Sequence, residues 1–189
     1  TLSGDTHVSD GATGVAISGD GTTNTIAGNS TVDGATGALI SGDDTQTTVS
    51  GNASVTGGGT GMIIDGDNTL LDNTGTTTVS GAGSTGSVIY GKDTHVINHG
   101  AVNVSDGGTG AKVIGDGAVV DNIGDTTASG AGSVGLSVNG DNVMVISEGE
   151  MNIADGATGA IIDGDNAQIV NTGATTVDGA GSTRTLING

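Results

Sequence analysis

The sequence has no cysteine, proline, tryptophan or phenylalanine, and Tyr90 is its single aromatic residue. Without cysteine there is no disulfide, no thiolate metal site and no thiol nucleophile. Aromatic side chains supply much of the apolar area of ordinary cores, so a core here is thin and aliphatic. Basic residues are nearly missing too: three Lys or Arg stand against 21 Asp or Glu, a formal charge of −18 over 189 residues. A surface this acidic repels phosphate backbones and anionic lipid, which argues against nucleic acid and membrane surfaces as partners. No apolar run approaches the 18 residues of a spanning helix, so this segment does not insert into a bilayer. High charge with few aromatics is also a mark of disorder. Periodic aliphatic positions argue otherwise.

Glycine is abundant, with 39 residues, and its spacing exposes a repeat, the feature to seek first because it decides the fold. Units begin at Gly19, Gly42, Gly66, Gly91, Gly115, Gly140 and Gly164, 23 to 25 residues apart, and Gly189 would open another. From Gly66 onward, units of 25 and 24 residues alternate, as though pairs had been duplicated. Each unit holds three short alternating segments. The first carries Leu71, Val96, Val120, Val145 and Ile169; the second Val79, Val104, Ala128, Ile153 and Val177; the third Ile40, Ile64, Ile89, Val113, Val138, Ile162 and Ile187. Period-two alternation of β-branched residues is the strand signal, and glycine every few residues excludes helices.

The expectation is an all-β chain: a right-handed parallel β-helix with three strands per coil, about 24 residues per coil and nearly eight coils. Residues 1–189 form a single solenoid segment. Thr1 falls in mid-pattern, so the segment is expected to belong to a longer protein. At about 4.8 Å per coil the rod is on the order of 35–40 Å long. The columns Gly75, Gly100, Gly124, Gly149, Gly173 and Gly14, Gly37, Gly61, Gly86, Gly110, Gly135, Gly159 are expected at turns, where glycine supplies positive φ. Asn73, Asn98, Asn122, Ser147 and Asn171 are expected to stack as a side-chain ladder.

Candidates for chemistry are few. Lys92, Lys112 and Arg184 are the only strong bases, and the single aromatic gives no platform for sugars, so no catalytic residue, cofactor or enzyme activity is assigned. His95 and His99 are four apart on one segment and read as solvated surface rather than as a zinc pair. Asp20, Asp43, Asp67, Asp116, Asp141 and Asp165 share one repeat position, where unit five has Lys92. Stacked roughly 5 Å apart, such charges repel by on the order of 1 kcal/mol in water. They fan outward, cap turn amides as Asx-turns, or bind cations; capping within Gly-Asp-Asn and Gly-Asp-Gly turns is the expected outcome. Asp65, Asp67, Asp163 and Asp165 are weak calcium candidates, and no metal site is assigned.

Two surface columns remain. The middle of the third segment reads Ala16, Leu39, Ile63, Val88, Lys112, Ser137, Ile161 and Leu186 and should point outward. An apolar stripe on a solenoid face marks a contact surface, so Leu39, Ile63, Val88, Ile161 and Leu186, with Asp67, Asp116, Asp141 and Asp165, are candidate self-association or partner residues. Thr76 to Thr78, Thr126, Thr127, Thr175 and Thr176 form hydroxyl arrays on alternate coils, interrupted by Ala101-Val102-Asn103 and Glu150-Met151-Asn152.

Segments such as VDGATGALISGDD, VSGAGSTGSVIYGKD and MNIADGATGAIIDGDN resemble the passenger domains of bacterial autotransporters, the type V secreted surface proteins, nearest in character to adhesins of the antigen 43 and AIDA kind. The resemblance covers the whole chain and rests on repeat style and composition. It implies a β-helix displayed at the bacterial cell surface and tethered to the outer membrane by a C-terminal β-barrel. It implies adhesion, autoaggregation or biofilm formation, with partners that are further copies of the protein or a host surface or matrix ligand. The alternatives are a polysaccharide-acting enzyme on a β-helix and a calcium-dependent repeat module.

Overall fold

The computed structural model describes residues 1–188 and contains 23 strands and no helix among them. The strands fall into three parallel sheets. The first comprises β1 (Thr6–Ser9), β4 (Ser30–Asp33), β7 (Ala53–Thr56), β10 (Thr77–Ser80), β13 (Val102–Ser105), β16 (Thr126–Ser129), β19 (Met151–Ala154) and β22 (Thr175–Val177). The second comprises β2 (Thr13–Ser18), β5 (Thr36–Ser41), β8 (Thr60–Asp65), β11 (Thr85–Tyr90), β14 (Thr109–Ile114), β17 (Val134–Asn139), β20 (Thr158–Asp163) and β23 (Thr183–Asn188). The third comprises β3 (Thr23–Ile26), β6 (Gln46–Val49), β9 (Leu70–Asn73), β12 (His95–Asn98), β15 (Val119–Asn122), β18 (Met144–Ser147) and β21 (Gln168–Asn171). Within each sheet every strand pairs with its counterpart one coil away, as Val88 does with Ile63 and Lys112. The result is a β-solenoid of about eight coils, three strands per coil and about 24 residues per turn, as the periodicity requires.

The core follows from alternation. Ile40, Ile64, Ile89, Val113, Val138 and Ile162 of the second sheet meet Leu71, Val96, Val120 and Val145 of the third in one continuous cluster. Val8, Val32, Val55, Val79, Val104, Ala128 and Ile153 of the first sheet, with Ala35 and Ala157, form a separate strip under the turn between the first and second sheets. Each coil thus adds only a few aliphatic groups, and stability accumulates through nearest-neighbour contacts.

The glycine columns are explained by crowding rather than by φ. Gly75, Gly110 and their column mates do not have positive φ. A Cβ on Gly75 would fall on the carbonyl of Gly51 one coil back, and a Cβ on Gly110 would lie 2.6 Å from Val102 Cγ1. At these corners the missing side chain would point along the axis, where coils are only about 4.8 Å apart. Positive φ belongs elsewhere, and often to Asp and Asn: Asp44, Asn68, Asp93, Asn142 and Asn166 share one turn position, and Asp10, Asp106 and Asp155 another. Their short polar side chains tolerate the left-handed region.

The alternating unit length has a local cause. The turn between the first and second sheets has one extra residue in the long units, where Gly-Ala-Gly-Ser spans 81–84 and 130–133. The added serine is used: Ser84 Oγ accepts from the Gly58 amide at 3.1 Å, Ser133 from Gly107 at 3.0 Å and Ser182 from Gly156 at 3.0 Å. Each long turn therefore braces the short turn of the preceding coil.

Candidate functional site

The three outer faces differ in chemistry. The first sheet presents Thr31, Ser54, Thr78, Asn103, Thr127, Asn152 and Thr176, an uncharged column of hydroxyls and amides. Of the threonine arrays, only Thr78, Thr127 and Thr176 stand on this face; Thr77 and Thr126 are buried.

On the second sheet Leu39, Ile63, Val88, Ile161 and Leu186 do occupy outward positions, between inward neighbours such as Ala38 and Ile40. Their stacking hides much of their area. Leu39, Ile63 and Ile161 are half-buried, and Val88, flanked in register by Ile63 and Lys112, is only 8% exposed. Leu186, on the last coil, is 46% exposed. Lys112 and Ser137 interrupt the stripe between Val88 and Ile161.

A second apolar surface escaped the sequence reading. The outer face of the third sheet carries Leu70, His95, Val119 and Met144 in one column and Asp72, Ile97, Asp121 and Ile146 in the next, with Ile123 39% exposed at its margin. Here lie two of the histidines. His95 Nε2 is 2.8 Å from Asp121 Oδ2, and His99 Nε2 is 3.9 Å from Asp72 Oδ1. One oxygen each of Asp72 and Asp121 is shielded from solvent without a hydrogen-bond partner. The two histidines face two separate carboxylates, so the arrangement is a pair of ion-pair contacts rather than a ligand cage.

The acidic column caps amides, but across coils rather than within its own turns. Asp20 Oδ1 accepts from the Asp43 amide at 3.1 Å, Asp43 from Asp67 at 2.9 Å and Asp67 from Lys92 at 2.8 Å; Asp116 accepts from Asp141 at 3.0 Å and Asp141 from Asp165 at 2.8 Å. Each carboxylate therefore receives an N–H from the next coil, which offsets the repulsion between neighbours. Asp5, Asn29, Asn52 and Asp125 repeat the arrangement at the turn into the first sheet. Asp65 and Asp163 stand at strand ends, outside this chain of contacts. No group of three or more His, Asp or Glu converges on a metal position among the described residues. At a third turn Ser80 and Ser105 donate to Asp106 at 2.8 and 2.9 Å and hold its carboxyl below the usual carboxylate range.

Inside the rod, Asn73 Nδ2 donates to Asn98 Oδ1 at 2.8 Å and Asn98 Nδ2 to Asn122 Oδ1 at 2.9 Å, and each Nδ2 also reaches the glycine carbonyl two residues on. The ladder stops at Ser147. Asn122 Nδ2 turns instead to Thr126 Oγ1 at 3.0 Å, and Ser147 Oγ is buried with no partner. Beside this gap runs an interior channel lined by Val120, Val145, Leu136, Ala160 and Met151.

The arrangement can therefore make flat, repetitive contacts along its sides, and its polar groups mostly tie coil to coil. No family model matches the chain, and neither a curated protein nor a solved structure matches it.

Proposed function

We propose that the chain is a structural and adhesive module, a segment of a solenoid displayed on a bacterial surface and held to the outer membrane by a C-terminal β-barrel, making contacts with further copies or a host surface through its sides. The observation that carries this reading is the outward aliphatic column Leu39–Ile63–Val88, continued at Ile161 and Leu186. An apolar column on the side of an otherwise strongly acidic rod is a surface that gains by being covered. Repetition supports the same reading, because weak contacts repeated along a rod sum to useful avidity when many copies are arrayed together. The resemblance in repeat style to autotransporter passenger domains supplies the location.

The test is display of the chain on cells through an unrelated anchor, with settling rate as the readout. Leu39→Asp with Ile63→Asp should slow settling at equal display level while the far-UV circular dichroism of the purified variant stays unchanged. Unaltered settling would remove the stripe from the proposal.

A further inference from the structure

The two ends of the rod are complementary surfaces of unusual exactness in register. At the C-terminal end Ile187 is 56% exposed, whereas Ile162 directly beneath it is 0% exposed; Val177 is 44% exposed and Ile153 beneath it 1%. At the N-terminal end Val15 and Ile17 are half-buried, whereas their column mates Ala38 and Ile40 are buried. Each end lacks one neighbouring coil, and the missing coil has the chemistry that the other end presents.

We infer that the C-terminal coil face of one molecule binds the N-terminal coil face of a second copy, building an open head-to-tail filament. Continuing the existing registers sets Val8 over Val177, Ala16 over Leu186 and Ile17 over Ile187, so aliphatic meets aliphatic in both core strips. Backbone groups match as well. The Thr6 amide bonds to the Asn29 carbonyl, so alternation along a parallel strand turns the His7 N–H toward the open end. The Asp178 amide bonds back to Ile153, so the Val177 N–H faces the opposite open end. Stacking lets Val177 N–H donate to the His7 carbonyl of the next copy, and His7 N–H donate to the Thr175 carbonyl of the preceding one. The contact is heterologous and repeats by translation, so nothing closes it, and unpaired strand edges are the surfaces most prone to such addition. At physiological salt, screening over about 8 Å confines repulsion between the acidic rods to the coils nearest the junction. This inference rests on the fold and is independent of the adhesive reading, which uses the sides of the rod.

The experiment uses the 189-residue chain in sedimentation velocity and negative-stain electron microscopy. Expected are rods one solenoid wide that lengthen with concentration in whole-molecule steps. Val177→Pro blocks one end and His7→Pro the other, each at an N–H that forms no bond within the molecule, and each variant alone should sediment as monomer. Mixed together they should form dimers and nothing longer, because one free face of each kind remains. Should a proline variant lose its strand signature in circular dichroism, Leu186→Lys with Ile187→Lys replaces Val177→Pro. A monomeric parent chain, a mixture without dimers, or filaments abolished by Leu39→Asp with Ile63→Asp but not by Val177→Pro would overturn the inference.

Discussion

Replacing Ser147 by Asn should complete the interior ladder and stabilise the rod. At present Asn122 Nδ2 is diverted to Thr126, Ser147 Oγ is buried without a partner, and Asn171 Nδ2 donates to Thr175 Oγ1 at 3.0 Å. An asparagine at 147 follows the geometry of Asn98, accepting from Asn122 and donating to the Gly149 carbonyl. Each such bond is worth about 0.5–1.5 kcal/mol net, and an unpaired buried hydroxyl costs about 1–3 kcal/mol. Ordering the longer side chain costs up to about 1.5 kcal/mol, so the net gain is about 1–2 kcal/mol. The channel beside Ser147 supplies the space. Thermal and urea unfolding followed by circular dichroism read the effect, and a chain of this size should melt about 2–6 °C higher. Ser147→Ala is the control, since it removes the unpaired hydroxyl without adding a rung. If Ser147→Ala stabilises as much as Ser147→Asn, or if Ser147→Asn destabilises, the ladder is not what limits this part of the core.

Other substitutions test other parts of the account. Gly115→Ala sets a methyl against the Gly91 carbonyl at a φ of 154° and should destabilise by about 3 kcal/mol, seen as a lower urea midpoint. Thr94→Val should stabilise by about 1 kcal/mol, because Thr94 Oγ1 is buried without a partner and its column already holds Ala118 and Val143; a lower melting temperature would mean the hydroxyl is paired. Since the acidic column is engaged with amides of successive coils, added Ca²⁺ or EDTA should leave the melting temperature unchanged, and a rise with Ca²⁺ would revive the calcium-dependent reading.

Much of this architecture was legible because each structural position recurs seven or eight times. The columns of Ile40 and Leu71, the stacking of Asn73 on Asn98 and the outward placement of Leu39 all follow from period-two alternation. Three features were not legible, each for a physical reason. The outer face of the third sheet was hidden because Leu70-Leu71, Val119-Val120 and Met144-Val145 are apolar in both phases, so alternation does not reveal which member is inside. The glycine columns were assigned to positive φ because composition shows only that a side chain is missing. Whether torsion or crowding excludes it depends on the neighbouring coil, as the approach of Gly75 to Gly51 shows. The carboxylate of Asp43 was assigned to its own turn, yet the amide it accepts from, that of Asp67, lies 24 residues away. A capping rule drawn from local sequence does not reach that far.

The one-coil reach of every pairing also sets how the molecule bears load. Ladder bonds between strands run along the rod, so tension applied at its two ends acts on the coils in series rather than on all of them at once. Such a rod does not fail as a unit; it sheds its outermost coil first, and the next coil meets the same force unaided. Each coil released frees about 24 residues, or about 80 Å of extended chain, in place of about 5 Å of rod. Pulled lengthwise, the protein is a reel that pays out in even steps.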